Sequence, residues 1–358
     1  MKYLVIQIVC MPDGGGAEFL ARTINRKCND NRFDSISVFF NNPRNIFLKD
    51  NEFQLGNNYA YNPINFFKLL FLIIKKSKKY KKVILHGHLT HALYFLIPFS
   101  YFSKFILFYT EHNSTNGRRR FSFLRPFEKF VYSRYTKIIS ISPFVQYKLM
   151  SWLEINNKNL NNDKFLVIFN GTKLYPFIKR NFNKQKFNFL SIGSLSTQKG
   201  FELTINVVNE LKDHVSNYFI LGDGPKRNDL NKLISKLKLN DIVKLKGFSN
   251  PADYLNICDI GMIPSRWEGF GLVSVEMVSS GMPLLISNAR GMSDLFSEFE
   301  TVKIIEGRDI SQWCAEIKNL IKNINGYQKS LEISSQLVTK FSMENMVLNY
   351  KKEYLKFF

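Results

Sequence analysis

Cysteine, acidic side chains and long apolar runs are all in short supply in this chain. The four cysteines, Cys10, Cys28, Cys258 and Cys314, form no Cys-x-x-Cys pair. That argues against a disulfide-stapled secreted scaffold. Cys10 and Cys258 lie in apolar runs and read as buried thiols, which suits the cytoplasm. The best candidate for a membrane span, Ala92–Tyr109, is interrupted by Pro98 and Lys104 and barely reaches the ~20 residues a span needs. It reads as a helix followed by a strand. The opening stretch Met1–Cys10 runs into Pro12, Asp13 and three glycines rather than a small-residue cleavage site. It therefore reads as a first buried strand, not a signal peptide. No repeat of roughly 20–50 residues is visible. Only 29 acids stand against 50 Lys and Arg, a formal charge of +21. Such an excess points to an anionic partner: nucleic acid, anionic lipid or a phosphorylated substrate.

What is present is enough apolar material for real cores. The chain has 358 residues, 45% of them hydrophobic, with 34 Phe, which suits two medium domains. Strand candidates alternate with helical stretches. Tyr3–Val9 is followed by a glycine run and a helix over Ala17–Arg26. Strands follow at Ser35–Phe40, Val83–Leu85, Phe105–Tyr109, Lys137–Ile141 and Leu166–Phe169, with a helix at Ile64–Lys75. The basic, polar stretch 173–186 contains Pro176 and reads as a linker. A second run begins at Phe187–Gly193, with helices at Glu202–Leu211 and Arg227–Leu237 and strands at Tyr218–Leu221 and Val243–Leu245. This alternation argues for doubly wound parallel sheets, an α/β fold.

The most informative stretch is Ser265–Glu276. Glu268 and Glu276 stand eight residues apart, with Gly269, Phe270 and Gly271 between them. Asp259–Pro264 reads as a buried strand running into the loop. Leu272–Ser280 reads as a helix, stopped by Gly281 and Pro283, and Leu284–Ile286 as the next strand. Glycines let backbone N–H groups approach a ligand, and a helix N-terminus favours an anion. Carboxylates accept hydrogen bonds from hydroxyls. The combination suits a sugar phosphate; a plain strand–turn–helix unit would need the same glycines.

The segment resembles the Glu-x7-Glu signature of the retaining glycosyltransferases of family 4, including the flanking Glu-Gly-Phe-Gly and the Gly-x-Pro after the helix. The resemblance covers nearly the whole chain and is densest from Gly193 to Gly291. It implies a GT-B fold: two Rossmann-like doubly wound parallel-sheet domains facing a central cleft. The expected boundaries are an acceptor-binding domain at 1–172, a linker at 173–186, a nucleotide-sugar-binding domain at 187–342, and a helix at 343–358 crossing back to the first domain.

Further motifs fit this resemblance in order. Gly193–Gly200 resembles the family's Gly-Arg-Leu-x-x-x-Lys-Gly element, whose Arg and Lys hold the donor diphosphate and stabilise the leaving group. Lys199 matches, but Ser194 stands where the family has Arg. A weaker hydrogen bond from Ser194, or Arg266 beside the signature loop, would have to compensate. Leu221–Pro225, with Gly222 and Gly224, resembles the family's Gly-x-Gly-Pro turn; Gly247 and Phe248 resemble the nucleobase-pocket stretch. Both also read as turns that need glycine. The resemblance assigns donor-sugar hydroxyls to Glu268, ribose hydroxyls to Glu276, and phosphates to Lys199 and the amides near Phe270, Gly271 and Leu272. From the first domain it brings Gly15 and Gly16 of the glycine loop towards the sugar and diphosphate. His112, after the strand Phe105–Tyr109, resembles the family's active-site histidine and would contact the transferred sugar.

Two further groupings concern metals and membranes. His86, His88 and His91 lack a clear fourth ligand and are not read as zinc. The chain has no Asp-x-Asp, the hard-oxygen motif that suits Mg²⁺ or Mn²⁺ on a diphosphate. No metal and no cofactor is expected beyond the nucleotide-sugar donor. Apolar residues over Phe66–Ile74 precede six lysines within Lys75–Lys82. With Arg118, Arg119 and Arg120 they suggest docking on an anionic inner-membrane surface or on a lipid diphosphate, at ~1 kcal/mol per basic residue.

The resulting expectation is a metal-independent retaining transferase on the cytoplasmic membrane face. It would move a hexose or N-acetylhexosamine from a nucleotide sugar to a polyprenyl-diphosphate-linked oligosaccharide in O-antigen or capsule synthesis. Three alternatives remain. A nucleotide-sugar epimerase would share the fold. A glycoside hydrolase would use Glu268 and Glu276 with carboxyls about 5–9.5 Å apart. A nucleic-acid-binding protein would explain the charge, but no nucleic-acid-binding module is recognisable, so nucleic acid is not expected as a partner.

Overall fold

The computed structural model describes residues 2–13, 15–56, 62–155 and 163–358. Gly14 of the glycine run lies outside the described residues. Two compact domains emerge: Met1–Gly171 together with Met343–Phe358, and Thr172–Ser342.

In the first domain the strands are β1 (Tyr3–Val9), β2 (Phe33–Phe39), β3 (Glu52–Gln54), β4 (Val83–His88), β5 (Phe105–Glu111), β6 (Lys137–Ser140) and β7 (Phe165–Val167). They form one sheet in the order β3-β2-β1-β4-β5-β6-β7, every pairing parallel. The central strands β1, β4 and β5 are buried almost end to end. Parallel sheets carry helices on both faces, so such strands read as continuous apolar runs.

The second domain holds β8 (Phe187–Ile192), β9 (Val215–Leu221), β10 (Val243–Gly247), β11 (Ile260–Ile263), β12 (Leu284–Ser287) and β13 (Val302–Ile305). Their order is β10-β9-β8-β11-β12-β13, again all parallel. Its core gathers Phe189, Ile205, Tyr218, Ile260 and the fully buried Trp313. Both sheets are doubly wound. The strand order reverses between β1 and β4 in one and between β8 and β11 in the other, where open α/β sheets place ligands.

The stretch 173–186 is not a free linker. It lies within the second domain, anchored by Arg180, which is 7% exposed. The Arg180 guanidinium donates to the carbonyls of Cys258 (2.9 Å), Ser280 (2.6 Å) and Leu255 (2.8 Å). A guanidinium has five donors in a planar fork, and here backbone carbonyls take them. Composition made the segment look solvated; hydrogen bonds from distant residues bury it.

The helix Met343–Leu355 belongs to the first domain. Its Met346, Val347, Tyr350 and Tyr354 lie in a core with Val5, Ile84, Phe108 and Ile139. Beyond it, Phe358 stacks on Tyr3 at 4.1 Å. No helix among the described residues is long and apolar enough to cross a membrane.

Candidate active site

In the second domain the loops after β8 and β11 meet at the strand-order reversal. The Arg266 N–H donates to the Gln198 carbonyl at 2.7 Å, and Gln198 Nε2 donates to the Trp267 carbonyl at 2.9 Å. This stitching brings Lys199 and Glu268 together. The Lys199 ammonium is ion-paired with Glu268 Oε1, which also accepts from Ser265 Oγ at 2.9 Å. Glu268 is 7% exposed, and a buried carboxylate needs such partners. The residues expected to hold phosphate and sugar separately thus form one unit.

Gly271 has φ 81° and precedes the helix Leu272–Ser279. A Cβ there would lie 2.7 Å from Met292. Phe270 is buried and meets Phe341 edge-on, ring centroids 5.5 Å apart. On the helix, Glu276 accepts a 2.5 Å hydrogen bond from Thr172 Oγ1. Burial raises the Glu276 carboxyl above its ordinary range, and Thr172 and Lys173 oppose the shift.

Gly222 and Gly224 have a packing role here. A Cβ on Gly222 would stand 2.1 Å from the Gly193 carbonyl oxygen, and one on Gly224 would stand 2.6 Å from that of Leu195. The Gly193 N–H donates to the Leu221 carbonyl (2.9 Å), and the Gly222 N–H to that of Gly247 (2.7 Å). These glycines press the loops after β8, β9 and β10 together. Phe248, next in the chain, is 89% exposed.

Ser194 is exposed, its hydroxyl 3.2 Å from Ser196 Oγ. Arg266, the other candidate cation, lies beside the same loop. Its guanidinium pairs with Glu202 Oε1 at 2.6 Å. Arg308, which the sequence did not flag, donates to the carbonyls of Pro264 (2.8 Å) and Gly200 (3.1 Å) and faces the same Glu202. It braces the two loops from behind. Thr172 and Arg308 stand outside the motif pattern, and only their contacts reveal them.

In the first domain, the extended Gly15 precedes the helix Gly16–Cys28. The loop carries Asp13, paired with Arg44 at 3.0 Å, and the buried Glu18, whose carboxyl is raised by burial and by Asp13. Two acids beside this loop suit hydroxyls better than a bare phosphate.

His112 follows β5 and is 8% exposed. Its Nε2 lies 3.0 Å from His88 Nδ1. Burial holds His112 neutral, down to about 3, and holds His86 and His88 well below their ordinary range. Both ring nitrogens of His86 are taken, by Tyr354 and Thr110, and both of His88, by His112 and Gln7.

Arg118 and Arg119 are largely buried and ion-paired rather than solvated. Arg118 Nε lies 2.6 Å from Glu128 Oε1, and Arg119 NH2 lies 2.6 Å from Glu111 Oε2, with side chains 10% and 9% exposed. Both pair with buried carboxylates on neighbouring elements, which adjacency of the three arginines in sequence conceals. Arg120 alone of the three is exposed.

Residues 176–334 match the family described as glycosyl transferases group 1. The second domain belongs to this glycosyltransferase family. An uncharacterized glycosyltransferase of Methanocaldococcus jannaschii is 27% identical over 233 residues, covering 64% of this chain and 62% of that protein. An O-antigen biosynthesis glycosyltransferase, WclY of Escherichia coli, is 32% identical over 109 residues, 30% of each chain. This chain therefore spans less than two thirds of either relative. Among solved structures, Anabaena HepE in complex with UDP and glucose superposes with a TM-score of 0.79 at 16% identity, covering 99% of this chain and 100% of that one. The glycosyltransferase fold, with its two parallel-sheet domains, is thereby established.

Proposed function

We propose that the chain is a retaining, family 4 glycosyltransferase of surface-polysaccharide synthesis that uses a nucleotide sugar, with UDP-sugars favoured. The observation that carries this reading is the Lys199–Glu268–Ser265 cluster at the strand-order reversal of the second sheet, with Glu276 on the following helix. A cation beside a hydroxyl-accepting carboxylate is what a diphospho-sugar requires. HepE, of the same fold, binds UDP and glucose, and WclY serves O-antigen synthesis.

In this mechanism Lys199 neutralises the donor diphosphate as the anomeric C–O bond breaks. The acceptor hydroxyl oxygen bonds to the same face of that carbon, and its proton passes to a β-phosphate oxygen of the departing nucleotide. Glu268 holds donor-sugar hydroxyls and Glu276 the ribose hydroxyls. His112, neutral, hydrogen-bonds the transferred sugar. The acceptor in this reading is a hexose- or N-acetylhexosamine-accepting, polyprenyl-diphosphate-linked glycan at the cytoplasmic membrane face.

The test is a thermal-shift panel of UDP-Glc, UDP-Gal, UDP-GlcNAc, UDP-GalNAc and GDP-Man, with and without EDTA. A donor at 100 times its Kd is expected to stabilise the fold by about 2.7 kcal/mol, with no loss in EDTA. A shift only with nucleic acid would overturn the reading. A shift abolished by EDTA would overturn its metal independence.

A further inference from the structure

A chain of hydrogen bonds runs through the first domain from its last helix to His112. Its members come from β1, β4, β5 and the helix Met343–Leu355. Gln7 Nε2 donates to Tyr354 Oη at 3.1 Å, and Tyr354 Oη lies 2.6 Å from His86 Nδ1. His86 Nε2 lies 2.8 Å from Thr110 Oγ1, which lies 3.2 Å from Tyr350 Oη. In the other direction, Gln7 Oε1 lies 2.8 Å from His88 Nε2, and His88 Nδ1 lies 3.0 Å from His112 Nε2. Gln7, His86, His88, Thr110 and Tyr354 are wholly buried. The chain ends at His112 Nδ1, a buried nitrogen with no hydrogen-bond partner among the described residues.

The proton positions follow from the donor inventory. An amide oxygen only accepts, so His88 Nε2 carries the proton and His88 Nδ1 is a lone pair. His112 Nε2 must then donate, which leaves His112 Nδ1 as an acceptor. On the other branch, Tyr354 accepts from the Gln7 amide and donates to His86 Nδ1, so His86 Nε2 donates to Thr110. One choice, the orientation of the Gln7 amide, fixes every tautomer. Turning that amide over would reverse each bond and make His112 Nδ1 a donor. Tyr354 can serve either state, because a hydroxyl both accepts and donates, and it couples the amide orientation to His86. What separates the states is the buried His112 Nδ1, where a lone pair without a partner costs less than an N–H without one.

We propose that Gln7 and Tyr354 are positioning residues that lock His112 with its proton on Nε2, so that the free Nδ1 presents a lone pair to a ligand hydroxyl. Such an acceptor selects hydroxyl and N–H donors and repels phosphate or carboxylate oxygens. The catalytic consequence rests on the transferase reading above; the tautomer does not.

The chain contains five histidines, few enough for long-range ¹H–¹⁵N spectra of ¹⁵N-histidine-labelled full-length protein to separate them. His112 is assigned by its absence in His112→Gln. The expected result is an unprotonated Nδ1 and a protonated Nε2 at His112 in the wild type, with both forms present in Tyr354→Phe. Tyr135→Phe removes an equally buried hydroxyl, which donates to the Leu93 carbonyl at 2.7 Å outside this chain; it is expected to leave the His112 signals in place. A protonated Nδ1 in the wild type, or an unchanged tautomer in folded Tyr354→Phe, would overturn the proposal. With a donor in hand, Tyr354→Phe is expected to lower kcat about tenfold, the worth of one misdirected hydrogen bond, while the donor KM stays within twofold. If no donor binds, the transferase reading fails and the spectra still decide the tautomer.

Discussion

Lys199 and Glu268 illustrate how a single pair serves both fold and site. Removing one partner strands the other: Lys199→Met leaves a buried carboxylate without its cation. That variant is expected to lose ~3 kcal/mol of stability, and the double variant Lys199→Met/Glu268→Gln less than half as much. Urea denaturation of the four proteins checks this. A double-variant loss equal to the sum of the two single-variant losses would mean that the pair contributes nothing as a pair. Glu276 behaves differently, because its folded carboxyl is raised by burial. At pH values below its unfolded value the group is neutral in both states and its burial costs nothing. As pH rises through the raised folded value, ionisation works against the folded state. Glu276→Gln removes that penalty. The variant is therefore expected to gain stability relative to wild type between about pH 4 and about pH 7, while losing nucleotide affinity. Melting temperatures at both ends of that range test the sign, and nucleotide titration tests the ribose contact.

At the scale of elements, the loops after β8, β9 and β10 hold together because glycine backbones touch. Gly222→Ala places a methyl 2.1 Å from a carbonyl oxygen at φ 126°. It is expected to cost several kcal/mol and to disorder the Lys199 loop. Gly307→Ala, also at positive φ but with open space around it, is expected to cost only ~1 kcal/mol. Thermal melts of the two variants compare them directly. These loops also show what was legible in the sequence. The Gly193–Gly200 and Ser265–Glu276 segments could be read because glycines and charges at fixed spacing carry local information. The three-residue β3 could not, because it exists only by pairing with β2. Arg118 and Arg119 misled for a related reason. A run of three arginines looks solvated until the fold turns Glu111, at the end of β5, and Glu128, on the helix Arg125–Ser133, against it. Arg180 misled in the same way, since its partners are carbonyls about 75 to 100 residues away.

For the whole molecule, the question is where the charge of +21 acts. The helix Pro63–Ser77 buries Leu69 and Ile73 but exposes Ile64, Phe67, Phe71 and Ile74 along one side. Lys75 and Lys76 close its last turn, and four more lysines follow by Lys82. An apolar stripe next to lysines fits an anionic bilayer. Sedimentation with phosphatidylglycerol vesicles is expected to carry the protein down, and to do so about tenfold less with Phe67→Ser/Phe71→Ser. Equal binding by wild type and variant would place the membrane contact elsewhere, or leave the charge alone to account for it.

The seating of Met343–Leu355 in the first domain has a consequence for how the protein is made. The first domain is written in two separated pieces, with all of the second domain encoded between them. While the ribosome is still producing the second domain, Val5, Ile84 and Phe108 have no Tyr350 or Tyr354 to cover them. The nascent first domain must wait, partly open, until the helix Met343–Leu355 clears the exit tunnel. A polypeptide released early, at residue 342, is expected to remain protease-sensitive in its first domain even if its second domain is folded.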